Sequence, residues 1–213
     1  MAEESLGLRE RKKRQTAHRI WRTALDLFLE RGFDKVSVAE IAAAADVSKM
    51  TVFNYFGTKE DVLLAPMEEH VADAADAVRH RGPGESAVTA LRRQFLAKID
   101  ERDPSIGLSD DAAVVQLHRL ISDTPALARR VMLFQMRGIG LLTDVLAEET
   151  GDRLTAGIAA HQLVSARDAV VIENHRRLLA GERADAMAAD CAALAERAFD
   201  LVEKGLQSYP GKP

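Results

Sequence analysis

The sequence predicts an all-α protein, with a three-helix N-terminal helix-turn-helix domain ahead of a larger helical domain, about nine helices in total. Three observations predict this. Ala, Leu, Glu and Arg dominate the 213 residues, and no long β-branched alternation appears. Apolar residues recur at three- and four-residue steps along most of the chain. Between residues 37 and 59, in SVAEIAAAADVSKMTVFNYFGTK, two short helical patterns flank a turn too small to hold anything else.

The elements follow in order. The first helix is expected over 16–31, where Ala17, Ile20, Trp21, Ala24, Leu27 and Phe28 make one apolar stripe. Thr16 suits its N-cap, and Gly32 suits a left-handed stop. A second helix over 38–45 opens on Ser37 and Glu40, which have capping-box spacing. Asp46-Val47-Ser48 is the turn, with Val47 as its buried plug. Ser48 caps a third helix over 49–56, and Gly57 ends it. Thr58 and Asp61 cap a fourth helix reaching about residue 80, with Pro66 expected to bend or restart it. Further helices are expected over 85–101, 110–122, 125–149, 154–180 and 183–207. Acids at 110 and 111, Thr124-Pro125 and Gly181 mark some of these boundaries.

Composition excludes several classes. Hydrophobic residues are 47% and charged residues 29% of the chain, as in ordinary globular proteins. No apolar run approaches the ~20 residues of a membrane span, so no membrane partner is expected. The first fifteen residues lack the apolar core of a secretory signal, which points to the cytoplasm. A single cysteine, Cys191, excludes an intrachain disulfide or an all-cysteine metal site. Net charge is −4, but it is unevenly placed: residues 9–22 carry seven basic side chains against Glu10, a local +6.

That basic run stands next to the helix pair. The second helix of the pair carries Lys49, Met50, Thr51, Asn54 and Tyr55, which can reach bases or phosphates. Thr51 and Asn54 suit base edges, Asn best with adenine, and Met50 suits a thymine methyl. Lys12, Lys13 and Arg14 form a basic stretch within residues 1–15, expected to be a flexible arm that can lie in the adjacent minor groove. The alternative is a solvated tail. Phe56, Phe53 and Trp21 are expected in the domain's own core, with Tyr55 open between core and contact.

The segment ALDLFLERGFDKVSVAEIAAAADVSKMTVFNYFGTKEDVLL resembles the N-terminal domain of the tetracycline-repressor (TetR) family. The shared features are the Ala-Leu-x-Leu-Phe helix, the Arg-Gly-Phe stop, the Glu-Ile-Ala helix, the Val-Ser-Lys turn and the Tyr-Phe-x-x-Lys-Glu ending. The likeness covers residues 16–64, and the rest matches in architecture alone. It implies a homodimeric transcriptional regulator, usually a repressor released from a palindromic operator by a small-molecule effector, with no resident cofactor. It implies phosphate contacts from Ser37, Ser48, Tyr55 and Lys59. Phe53 stands where the family most often has Tyr, and Met50 where Gly is frequent. Domains are expected at 16–60 for DNA binding and 61–213 for ligand binding and dimerisation.

Within that second domain, Phe95, His118, Met132, Gln135, Met136, Asn174 and His175 are candidate ligand contacts. Their apolar balance points to a lipophilic effector. Ile158, Gln162, Ser165, Ala169 and Ile172 align on one helix face, and Ala188, Cys191, Ala195, Ala198 and Val202 on the next. Both faces are candidates for the dimer interface. The alternatives are an activator of the same family, or a helical enzyme. The chain lacks Gly-x-Gly-x-x-Gly, the Walker loop, Gly-x-Ser-x-Gly and His-Glu-x-x-His, so no enzyme is expected. His70 and Asp73 have metal-ligand spacing, but a charged helix face explains them better.

Overall fold

The computed structural model describes residues 7–205. They form ten α-helices and two short 3₁₀ turns, with no strand among the described residues. In chain order the helices are α1 (Leu8–Arg31), α2 (Val38–Ala44), α3 (Lys49–Phe56), α4 (Lys59–Glu68), α5 (Asp73–Arg79), α6 (Ala87–Asp100), α7 (Ala112–Asp123), α8 (Pro125–Thr150), α9 (Arg153–Leu179) and α10 (Ala184–Lys204). The chain divides into two compact units. The first takes residues up to Glu68 together with Leu120–Val131, and the second takes Glu69–Arg119 and the residues from Met132 onward.

In the first unit, Ile20, Ala24 and Phe28 of the expected α1 stripe are buried, Ala17, Trp21 and Leu27 are half-buried, and Leu25, outside that stripe, is buried as well. Ile20, Ala24, Leu25 and Phe28 meet Phe33, Val36, Ile41, Ala42 and Val52, and α4 closes the cluster with Val62, Leu63 and Leu64. Burying one such side chain contributes about 1.5–3 kcal/mol. Trp21 is half-buried, and its indole N–H donates to the Leu63 carbonyl at 3.1 Å, tying α1 to α4. Asp61, in the first turn of α4, hydrogen-bonds the Thr58 amide and hydroxyl and pairs with Arg130 at 2.7 Å. That pair links α8 to α4 within the first unit.

Three boundaries differ from the sequence reading. Helix α1 starts at Leu8, so the basic stretch with Lys12, Lys13 and Arg14 is helical rather than a flexible arm. Arg and Lys are good helix formers, and this run continues into an anchored helix without a breaker. The expected helix to residue 80 is instead α4 and α5, parted by a turn at 69–72 that begins three residues beyond Pro66. Helix α10 ends at Lys204 rather than near 207, because Gly205, with a φ of 72°, leaves the helical conformation.

In the second unit, Phe95 of α6 packs edge-on against Phe199 of α10, with ring centroids 6.1 Å apart. Leu91, Ile99, Ile106, Leu108, Leu142, Leu163, Met187, Cys191 and Ala195 extend that core. Arg92 on α6 pairs with Glu196, Asp200 and Glu203 on α10 at 2.8–3.4 Å. Lys98, mostly buried, contacts Asp73 at 2.6 Å and Ser105 Oγ at 2.8 Å. Burial alone would raise the Asp73 carboxyl, but hydrogen bonds from His70 and Lys98 outweigh it and hold it at about 2. His70 therefore belongs to a charged network, and among the described residues no group of three or more His, Cys, Asp or Glu could hold a metal ion.

Candidate nucleic-acid interface

Helices α2 and α3 are set by their caps. The Ser37 amide and hydroxyl donate to Glu40 Oε2 at 2.9 and 2.8 Å, while Ser37 Oγ accepts from the Glu40 amide. This is the capping box read from the sequence, and these hydrogen bonds hold the Glu40 carboxyl below its ordinary range. The turn bends through Asp46, whose φ of 52° lies in the left-handed region that Asp tolerates better than most residues. Val47 is half-buried rather than the buried plug, and Ala45 fills the inside instead. Ser48 Oγ accepts from the Thr51 amide at 3.0 Å, starting α3.

Val52 seats α3 against the core, which turns the opposite side of the helix to solvent. That side carries Lys49, Met50, Phe53 and Asn54, all exposed. Phe53 is 42% exposed, so the expectation that it is core is corrected. Its place at i+3 from Met50, beside Asn54 at i+4, was the legible signal for a shared outward face. Lys49 Nζ stands 5.6 Å from the Phe53 ring centroid, close enough for a weak cation–π attraction. Thr51 and Tyr55 are half-buried at the margins, and the Tyr55 ring lies 6.0 Å from that of Phe56. Phe56 is half-buried rather than fully core.

Several candidate contacts are already engaged. Thr51 Oγ1 is 2.8 Å from Ser48 Oγ, and the Ser37 hydroxyl proton goes to Glu40. Lys59 Nζ donates to the Phe33 and Val36 carbonyls at 3.0 and 3.4 Å and lies 4.3 Å over the Phe33 ring. Lys59 is first a clamp of the fold, with one of its three N–H groups left for a phosphate. Lys12, Lys13 and Arg14 are exposed along the first turns of α1.

The candidate ligand residues do not form one group. His118 and His175 stack with centroids 3.7 Å apart, and Asn174 is fully buried. Gln135 instead donates to Asp168 at 3.2 Å. Met132 and Met136 are exposed, Met136 at 67%, and line no interior. Phe95 is spent in the core contact with Phe199. The α9 face of Ile158, Gln162, Ser165, Ala169 and Ile172 is open, with Ile172 63% exposed. The α10 face is not. Ala188, Cys191 and Ala195 are buried inside the second unit, and Ala198 and Val202 pack against that core. They close the fold rather than offer an interface. The outward alanines of α10 are Ala186, Ala189 and Ala193.

A short capped helix with an outward polar and aromatic face, set on a three-helix core in a chain that also carries a larger all-helical unit, defines a helix-turn-helix regulatory protein. Residues 20–65 match the family described as bacterial regulatory proteins, tetR family, which places the N-terminal domain of the chain in that family. It is 32% identical over 146 residues to the transcriptional regulator TcmR of Streptomyces glaucescens, a match covering 68% of this chain and 65% of TcmR. The chain thus spans about two thirds of that relative's length. It is 25% identical over 148 residues to MftR of Mycobacterium tuberculosis, covering 68% of this chain and 71% of MftR. In fold it is similar to GusR of Salmonella enterica, with 22% identity, a TM-score of 0.52, and coverage of 89% of this chain and 94% of GusR.

Proposed function

We propose that this protein is a transcriptional repressor and not an enzyme. It binds a palindromic DNA operator as a homodimer and is released by a small apolar effector. The observation that carries the reading is the outward face of α3, where Lys49, Met50, Phe53 and Asn54 stand free of the core on a helix capped by Ser48. A helix of this kind fits the major groove, where Asn54 can pair with adenine and Met50 and Phe53 can meet thymine methyls. The exposed basic turns of α1 add sequence-independent attraction to phosphates.

A two-fold dimer would place two copies of α3 about 34–36 Å apart, one turn of DNA. The open stripe on α9 supplies the pairing surface, since its 158, 162, 165, 169 and 172 spacing alternates steps of four and three. The second unit is the effector domain. Effector binding favours a dimer whose reading heads no longer match the operator. Such a protein works in the cytoplasm, on the nucleoid when bound. No helix among the described residues is long and apolar enough to cross a membrane.

Selection of duplexes from a random library by the full-length protein tests the proposal. A palindromic site should be enriched. Asn54→Ala should lose about 1–3 kcal/mol on that site, while binding to unrelated duplex stays the same. Replacing Lys12, Lys13 and Arg14 together by Ala should weaken all duplexes alike and flatten the salt slope by up to ~3. Failure to enrich any sequence would overturn the reading.

A further inference from the structure

The second unit holds polar side chains that its core does not satisfy. Asn174 on α9 has no exposed surface. Its Nδ2 donates to the Ile106 carbonyl at 2.8 Å and to Cys191 Sγ at 3.1 Å. A carbonyl oxygen only accepts, so this contact sets the amide's orientation and leaves Oδ1 shut off from solvent without a partner. The next residue repeats the pattern. His175 Nε2 is also buried and unpartnered, and its ring stacks on His118. Buried polar atoms in folded proteins nearly always find partners, so two orphans on consecutive residues require an account.

The same two side chains border Gly107. Its φ is +72°, and a Cβ built there would fall 2.8 Å from His175 Cδ2, 3.1 Å from His175 Nε2 and 3.0 Å from Asn174 Cβ. Only glycine lets the turn after Pro104–Ile106 close this tightly over α9. The surroundings are apolar, since Ile106, Leu108 and Cys191 belong to one buried cluster with Phe95.

We infer that Asn174 and His175 are the polar anchor of the effector site, and that it takes an uncharged, largely apolar molecule bearing a hydroxyl or N–H donor. The inference rests on the proposed role of the second unit as effector domain. Asn174 Oδ1 can only accept, so its partner must donate. A carboxylate would bring acceptors alone. Burial also keeps both imidazoles neutral at physiological pH, His118 at about 4 and His175, with the added influence of His118, at about 3. The site therefore has no imidazolium to hold an anion. Entry requires the Gly107 turn to move off α9, which couples occupancy to the conformation of the unit.

Calorimetry on the full-length protein with para-hexylphenol and its methyl ether, para-hexylanisole, tests the anchor. The two probes share a shape, and only the phenol donates. The phenol should bind about tenfold or more tightly than the ether, because a site built to hydrogen-bond a hydroxyl rejects the analogue lacking it. That preference should collapse in Asn174→Leu and in His175→Phe. The second variant keeps an aromatic ring against Gly107 and His118, so it reads the Nε2 contact with the packing retained. The ¹⁵N resonance of His175 Nε2 should also move on adding phenol. Equal binding of the two probes, no binding of either, a preference unchanged in both variants, or an Nε2 resonance satisfied by water alone and unmoved by phenol would each overturn the anchor. The effector-domain reading fails separately, if the phenol binds as expected yet leaves the selected operator complex unchanged.

Discussion

Helix α3 was read from its cap, its stop and its polar side chains, helix α10 from small residues at helical spacing, and they came out differently. In α3 the inward residue is Val52, while Phe53, expected inside, is exposed and Phe56 is half-buried. In α10 the Ala-rich face assigned to a partner subunit is the one buried in its own unit. The difference lies in what decides each face. In α3 one branched aliphatic residue, Val52, stands among polar and aromatic ones, and eight residues offer a single way to lie on a three-helix core. In α10 both sides are rich in alanine, so side-chain size favours neither. The choice falls to distant partners: Phe95 meeting Phe199, and Arg92 meeting Glu196, Asp200 and Glu203. Spacing shows that a helix has faces, and packing partners decide which one turns inward.

The largest expected effect tests that assignment within one helix. Ala195→Asp puts an unpaired carboxylate at a position with no exposed surface. It should cost about 3–5 kcal/mol or abolish folding, because nothing compensates the buried charge. Ala189→Asp, on the solvent side of α10, should stay within about 0.5 kcal/mol in urea unfolding followed by circular dichroism. The reverse order would restore the original reading, with Cys191 and Ala195 facing a second subunit.

An intermediate effect contrasts the polar groups of the two units. Asn54 and Lys49 meet water, whereas His118 and His175 are held neutral by burial at about 4 and about 3. In the unfolded chain an imidazole titrates near 6.5, so between about pH 6.5 and 3 the unfolded state binds more protons. Stability should be full above pH 6.5 and fall as pH drops through that window. Comparing urea midpoints at pH 7 and pH 5 samples that window, because the depressed carboxylates, including Asp73 at about 2, change protonation mainly below it. Asp168, whose carboxyl burial raises, acts with the opposite sign, so the His175→Phe variant carries the test. His175→Phe should lessen the loss. An equal loss in the variant would assign the pH sensitivity elsewhere.

How much was legible follows the same division. The caps at Ser37, Glu40 and Ser48 and the stops at Gly32 and Gly57 involve residues three or four apart, and the structure has them where the sequence placed them. The Thr58–Asp61 cap is also formed, but its further bond to Arg130 could not be read, because the partner comes from a distant helix. The helical extension of α1 was hidden by its charge, which reads as readily as a solvated arm. The stacked histidines are the extreme case. His118 and His175 were each plausible as isolated polar residues, and only the tertiary fold brings their rings together beside Gly107.

The smallest effect is also the sharpest test that local devices act independently of their surroundings. The same cap occurs in both units. Ser48 Oγ accepts from the Thr51 amide at 3.0 Å and sits 2.8 Å from Thr51 Oγ1, and Ser86 Oγ makes the matching contacts to Thr89 at 3.1 and 2.8 Å. Both serines are exposed, so no cavity is opened by removing either hydroxyl. Ser48→Ala and Ser86→Ala should therefore each cost about 1 kcal/mol, the ordinary loss on removing an N-cap. Equal losses by chemical unfolding would mean that the reader is legible because its structure is local. A much larger loss at Ser48 would mean that α3 leans on its cap more than the longer α6 does. In that case recognition by α3 depends on a helix whose start is its weakest point, and Ser48→Ala should weaken binding to the selected operator even though Lys49, Met50, Phe53 and Asn54 are all still present.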